Sequence, residues 1–118
     1  MEKPISARAD EEAVEGVPVL EFIEDFHDFG TIRQGEVVSY TFSFSNSGTA
    51  PLIIRHVIAG CGCTKSKVSK DVLKPGEKAT LEVVFNSKGW SGSQYKTVTL
   101  RTNDANREKT VTFKANVV

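Results

Sequence analysis

Cys61 and Cys63 are the only cysteines among 118 residues, and they stand one glycine apart in the stretch Gly60-Cys61-Gly62-Cys63-Thr64. In an extended chain residues i and i+2 share a face, so both sulfurs can be presented to one side. Glycines at 60 and 62 permit backbone angles closed to other residues and leave the approach uncrowded. Three chemistries fit this arrangement. The simplest is packing: two small apolar side chains at a strand end, with the glycines forming a bulge or turn. The second is a strained local disulfide, structural or redox-active. Fully extended, the two Cα atoms would lie about 6.6 Å apart, so a turn at Gly62 would have to shorten the gap to a bridgeable distance. Lys65 and Lys67 would then favour thiolate forms of exposed sulfurs. The third is a soft site for cuprous copper or zinc, in which His56, on the segment entering the corner, could join Cys61 and Cys63.

Other catalytic patterns are missing. Gly89-Trp90-Ser91-Gly92-Ser93 lacks the closing glycine of a nucleophile elbow. Phosphate-cradling glycine loops, zinc-protease histidine pairs and calcium loops do not occur. Glu24, Asp25 and Asp28 read as a solvated end of the fold rather than a general acid–base set, and His27 between Phe26 and Asp28 reads as a turn residue. The expectation is no catalytic residue, no cofactor and no committed metal site. The binding candidates are Cys61, Cys63, Lys65, Lys67 and Trp90. Trp90, in its glycine-flanked loop, reads first as a lid on the core and second as an exposed anchor.

The elements that must position the corner read as strands throughout. Val38 to Ser45 alternates strictly, with Val38, Tyr40, Phe42 and Phe44 on one face and hydroxyls on the other, the mark of a half-buried antiparallel strand. Leu52 to Ile58 is a second strand that runs into Gly60, and Thr64 to Val68 is a short edge piece after the cysteines. Ala79, Leu81, Val83 and Phe85 form another inward stripe. Val98 and Leu100 form one more, with Lys96 at the rim, and Val111, Phe113, Ala115 and Val117 close the chain. Turns are signalled by Asn46-Ser47-Gly48-Thr49, Lys74-Pro75-Gly76-Glu77 and Asn103-Asp104-Ala105-Asn106. Ahead of these lie Val19 to Ile23 and Glu24 to Ile32, two short extended pieces in which Phe26 and Phe29 are expected to seal one end of the core. No helix-period stretch of useful length occurs. About seven antiparallel strands at near-regular spacing predict an all-β, immunoglobulin-like β-sandwich over residues 18–118. The inter-sheet bridge of antibody domains is excluded, because it joins cysteines far apart in sequence.

Charge narrows the partners. The formal net charge is zero, so no whole-molecule field favours nucleic acid or an anionic membrane. It is unevenly placed, however. Residues 1–17 carry five acids against Lys3 and Arg8 and predict a mobile acidic tail, leaving the remainder net basic by three. Lys65, Lys67, Lys70, Lys74 and Lys78 follow the cysteines closely. Such a run reads first as a solvated strand edge that discourages edge-to-edge pairing, and second as a docking patch for an acidic partner. No run reaches the roughly 18 apolar residues of a membrane span, and Met1-Glu2-Lys3-Pro4 opens no signal core.

Several of these stretches come in a familiar order: Phe29-Gly30-Thr31-Ile32, Gly35, Phe42-Ser43-Phe44-Ser45-Asn46-Ser47-Gly48, Cys61-Gly62-Cys63-Thr64, Lys74-Pro75-Gly76 and Thr102-Asn103. Together, over about residues 20–118, they resemble a bacterial domain-of-unknown-function family common among exported and lipid-anchored proteins of the Bacteroides group. That family is similar to the immunoglobulin-like domains of major sperm protein, Hydin and pilus chaperones. The resemblance implies a periplasmic or cell-surface location, with a lipid anchor upstream of this chain, and supplies no activity. The reading is a non-enzymatic binding or structural module of the cell envelope. It would recognise a protein partner by loops or an exposed edge strand and insert nothing into a membrane. The alternative is a thiol-redox or copper/zinc-handling envelope protein using Cys61 and Cys63.

Overall fold

The computed structural model describes residues 16–118, and every described element is a strand. In chain order these are β1 (Leu20–Phe22), β2 (Phe26–Ile32), β3 (Val37–Asn46), β4 (Leu52–Ala59), β5 (Thr64–Val68), β6 (Val72–Leu73), β7 (Lys78–Asn86), β8 (Gly92–Thr102) and β9 (Glu108–Val117). They form a four-stranded sheet of order β1-β3-β7-β5 and a five-stranded sheet of order β2-β9-β8-β4-β6. This is the immunoglobulin-like sandwich the alternation predicts. Nine strands stand where about seven were expected: both short extended pieces of the start are strands, and the unforeseen β6 adds two residues against Leu52 and Ile53.

Burial follows the period of two. Phe42 and Phe44 on β3, Leu81, Val83 and Phe85 on β7, Val98 and Leu100 on β8, and Val111, Phe113 and Ala115 on β9 are all fully or nearly fully buried. Each strand thus turns one face inward, and the two inner faces meet in a single apolar layer. Phe85 of the smaller sheet tilts against Phe113 of the larger one at 5.4 Å between ring centroids, so the layers interlock through aromatic rings.

The extended start behaves differently from its sequence reading. β1 pairs antiparallel with β3, and the chain then crosses to the other sheet, where β2 runs parallel to β9. His27 is a strand residue, not a turn residue. It points inward opposite Phe113, with its ring stacked on Tyr40 at 3.6 Å and 9°, while Phe29 meets it edge-on at 4.7 Å. Phe29 also packs against Phe113, but Phe26 faces outward and is 46% exposed, so only one of the two phenylalanines seals the core. The phase is restored by a bulge between Asp28 and Thr31. There Gly30 adopts φ +74°, a left-handed conformation that costs glycine little, and its N–H donates to Asp28 Oδ1 at 2.8 Å.

Of the predicted tail 1–17, residues 1–15 lie outside the described residues. Val17 is already held: its N–H donates to Thr49 Oγ1 at 3.1 Å and its carbonyl accepts from Thr49 N–H at 2.8 Å. Hydrogen bonding to the turn after β3 thus already includes Val17.

Candidate functional site

The Cys-Gly-Cys stretch is the place where the chain changes sheets. β4 belongs to the larger sheet and β5 to the smaller. Gly60 N–H still donates to Thr97 O of β8 at 2.9 Å, whereas Cys63 O already accepts from Asn86 N–H at the end of β7, also at 2.9 Å. Cys61 and Gly62 alone make the crossing, and Thr64 N–H closes the turn on Cys61 O at 3.3 Å. Gly60 is required there by space: a Cβ would stand 2.9 Å from Thr97 Oγ1. Neither Gly60 nor Gly62 adopts positive φ, contrary to the expectation that both supply unusual backbone angles. Gly62 faces open space, with nothing within 4 Å of an added Cβ.

The turn brings the two Cα atoms to 5.3 Å, and Cys61 and Cys63 are joined by a disulfide. Of the three chemistries open to the pair, the structure holds the second. The packing reading also holds in part, since Cys63 packs against the core. Sulfurs bonded to one another are not thiolate ligands. His56, offered with Cys61 and Cys63 as a ligand set, stands on β4, five residues before Cys61. Among the described residues no group of three His, Cys, Asp or Glu side chains could hold a metal ion.

The surroundings of the bridge are polar on one side and apolar on the other. Cys63 N–H donates to Cys61 Sγ at 3.2 Å. The Thr64 hydroxyl lies 3.8 Å from Cys61 Sγ and 3.6 Å from Cys63 Sγ, and since a disulfide carries no hydrogen, the hydroxyl is the donor in both contacts. Thr64 is buried, and both cysteines are half-buried. Cys63 opens on a shallow cavity of about 380 Å³ on the outer face of the smaller sheet, floored by Val37 and Val84 and rimmed by Lys65 and Lys88. A ring of three residues removes little entropy from the unfolded chain, so the bond contributes only about 1–2 kcal/mol to folding. The sandwich does not depend on it.

β5 leaves the corner as the edge strand of the smaller sheet, paired on one side with β7. Asn86 N–H donates to Cys63 O and Ser69 N–H donates to Thr80 O, so odd-numbered residues turn their backbone groups toward β7. Alternation then directs the N–H and C=O of Ser66 and Val68 to the open side. Lys65 and Lys67 are exposed on the outer face, opposite Val84 and Glu82. The turn after β5 is drawn together by Glu77, which accepts from Lys74 N–H at 2.7 Å and pairs with Lys70 Nζ at 2.9 Å. Those contacts hold its carboxyl below the usual range.

Trp90 packs against the core. It is half-buried there, and Lys96 Nζ sits 3.3 Å from its ring centroid. Burial pushes the Lys96 ammonium below its ordinary value. The acidic cluster is taken up locally. The Tyr40 hydroxyl donates to Glu24, which raises the phenol above its usual 10, and Asp28 caps the Gly30 bulge.

Sequence reasoning missed two groupings. Between β4 and the β8–β9 turn, Arg55, His56, Arg101 and Arg107 line a concavity of about 740 Å³ together with Glu108. Arg101 pairs with Glu108 at 2.9 Å. Only strand pairing brings these arginines together, so no local signal announces them. Asp104 and Asn103, which also line that concavity, and Asn46 act as polar pins. Asp104 accepts Leu20 N–H at 2.8 Å and Asn106 N–H at 2.6 Å. Asn103 Oδ1 accepts Ile53 N–H at 2.8 Å. Asn46, fully buried, accepts from Val19 and Gly48 N–H and donates to Ala50 O and Leu73 O. Their signal was the turn chemistry of Asn and Asp, read for the turn alone and not for what it fastens.

Residues 20–117 match a family profile described as a protein of unknown function, DUF1573. The chain belongs to that family. Among solved structures it is similar to a protein of unknown function from Porphyromonas gingivalis W83. The identity is 21% and the TM-score 0.75, over 85% of this chain and 47% of that one. The chain therefore spans about half the length of that protein. It is also similar to the ASH/PapD-like domain 7 of human CEP192, at 10% identity and TM-score 0.66, covering all of this chain and 93% of that one. A third likeness is to the secreted serine protease VesC of Vibrio cholerae, at 14% identity and TM-score 0.63, over 83% of this chain but 23% of that one. At these identities the likenesses establish the sandwich fold alone. No curated protein matches the sequence.

Proposed function

We propose that this member of the family is a non-enzymatic binding module of a bacterial cell envelope, and that it takes up an extended acidic segment of a partner protein along β5. The observation that carries the reading is the open side of that strand. There the backbone groups of Ser66 and Val68 face outward beside Lys65 and Lys67. Strand addition draws affinity from main-chain bonds and specificity from the side chains that flank them. Lysines on an edge oppose pairing between two copies of the same edge and favour a strand of opposite charge, so one feature supplies both rejection and selection.

The test uses two synthetic ten-residue β-forming peptides, one alternating Glu with Val and one alternating Lys with Val. The acidic peptide is expected to slow hydrogen exchange of the Ser66 and Val68 amides, and the basic one to leave them unchanged. Lys65→Glu combined with Lys67→Glu should weaken binding of the acidic peptide about tenfold. Ser66→Pro removes an outward N–H at a position where an edge strand tolerates proline, and should abolish binding while the fold persists. Protection by both peptides alike, or protection confined to other strands, would overturn the reading.

The envelope location is supported by the disulfide, because such bonds persist in oxidising compartments and are rare in the cytosol. The resemblance to lipid-anchored and exported proteins of the Bacteroides group points the same way. Fractionation of cells producing the full gene product should find it with envelope markers; recovery with the cytosolic fraction would reject this part of the proposal.

A further inference from the structure

We propose that the Cys61–Cys63 disulfide is an exchange site for thiols, attacked at Cys63 from the cavity on the outer face of the smaller sheet. The proposal stands apart from strand addition, since it concerns the sulfurs and not the backbone of β5. Four observations carry it. The bridge spans one residue at a sheet crossing, so opening it frees no long loop and leaves both layers of the sandwich paired as before. Both cysteines are only half-buried, and Gly62 between them has open space around it. Cys63, not Cys61, lines the cavity of about 380 Å³ whose rim carries Lys65 and Lys88. Finally, Cys61 Sγ already receives the Cys63 N–H at 3.2 Å, and the Thr64 hydroxyl stands beside both sulfurs, 3.8 Å from Cys61 Sγ and 3.6 Å from Cys63 Sγ.

These features assign different roles to the two sulfurs. Exchange requires a thiolate to attack one sulfur in line with the other, which departs as a thiolate. An incoming R–S⁻ reaches Cys63 Sγ through the cavity, drawn by Lys65 and Lys88. A bond forms between the incoming sulfur and Cys63 Sγ, the Cys61–Cys63 bond breaks, and the electron pair leaves on Cys61. The Cys63 N–H and the Thr64 hydroxyl are placed to receive that charge. The product is a mixed disulfide at Cys63 and a thiolate at Cys61. If the reagent is a dithiol, its second thiolate attacks the reagent sulfur of the mixed disulfide. Cys63 is released, the reagent is oxidised to its disulfide, and the protein is left as the dithiol, two electrons having passed from reagent to protein. In the reverse direction the dithiol form reduces a disulfide of the same class. The geometry thus selects an anionic thiol, either a small molecule or a cysteine in an acidic stretch of protein.

The experiment compares a sulfonate-bearing thiol with cysteamine at equal thiolate concentration on the folded protein, with acid quenching and mass mapping of the adduct. The anionic thiol is expected to react at least fivefold faster than the cationic one, and Lys65→Glu with Lys88→Glu should reverse the order. The trapped adduct should sit on Cys63, leaving Cys61 free to be alkylated. Thr64→Val should slow opening several-fold; circular dichroism before and after reaction should be superimposable, which separates exchange from unfolding. Two free thiols in the untreated protein, equal rates for the two reagents, or an adduct carried chiefly by Cys61 would each overturn the proposal. So would a bridge that opens only when the strands melt.

Discussion

Replacing Asn46 by aspartate is expected to destabilise the domain by roughly 4–5 kcal/mol, and replacing it by alanine by roughly 3 kcal/mol. Asn46 is fully buried at the end of β3, and all its polar groups are used. Its Oδ1 accepts Val19 N–H at 3.2 Å and Gly48 N–H at 2.9 Å, while its Nδ2 donates to Ala50 O at 2.8 Å and Leu73 O at 3.0 Å. One side chain therefore fastens the chain leading into β1, the turn after β3, and β6. Alanine leaves these backbone groups without their partner. Aspartate does worse with nearly the same shape, because it aims a carboxylate oxygen at two carbonyl oxygens in a site closed to water. That environment would push the new carboxyl upward, so its charged form is penalised in the folded state. The extra cost of aspartate over alanine should accordingly be absent at low pH and grow as pH rises through the ordinary carboxylate range. Urea unfolding at pH 4 and pH 7, followed by circular dichroism, measures both effects. If both variants lie within 1 kcal/mol of the parent, Asn46 is only a turn residue and the pin is not one.

The contrast between Asn46 and the apolar stripes shows where sequence legibility ends. Alternation over Val38 to Ser45 and Ala79 to Phe85 is read directly as inward and outward faces, because the side-chain period of a strand is two whatever its partner. It announced the sandwich and most of its core. It could not announce which strands pair, since pairing is decided between segments far apart in the chain. The parallel alignment of β2 with β9 and the gathering of Arg55, Arg101 and Arg107 both escaped for that reason. β6 is too short, at two residues, to show any period. β2 misled because its bulge changes the phase. His27, Phe29 and Ile32 all face inward although the last interval is three residues, and Phe26 falls on the wrong side. At the corner the sequence specified that both sulfurs could share a side but not how tightly the chain bends between sheets. That bend, set by Thr97 behind Gly60 and by Asn86 in front of Cys63, decides in favour of the bridge.

Phe113→Ala is expected to cost about 3–5 kcal/mol, a large share of the roughly 5–15 kcal/mol that holds a domain of this size. Phe113 is wholly buried on β9, which lies inside the larger sheet between β2 and β8. Its ring contacts Phe29 at 5.5 Å and crosses to Phe85 of the smaller sheet at 5.4 Å. Removing it takes the common member from two aromatic contacts and leaves a void that paired strands cannot collapse to fill. Phe113→Leu keeps most of the volume and should cost no more than about 1.5 kcal/mol. Phe26→Ala supplies the comparison. Phe26 is on the same β2 segment as Phe29 and equally apolar in sequence, but it is 46% exposed on the outer face, so its loss should stay within about 0.5–1 kcal/mol. Guanidinium unfolding of the three variants gives the order. If Phe26→Ala proved as damaging as Phe113→Ala, the bulge at Gly30 would be misplaced. The inward set on β2 would then be Phe26 rather than His27 and Phe29, and the two sheets would close over a different layer of side chains.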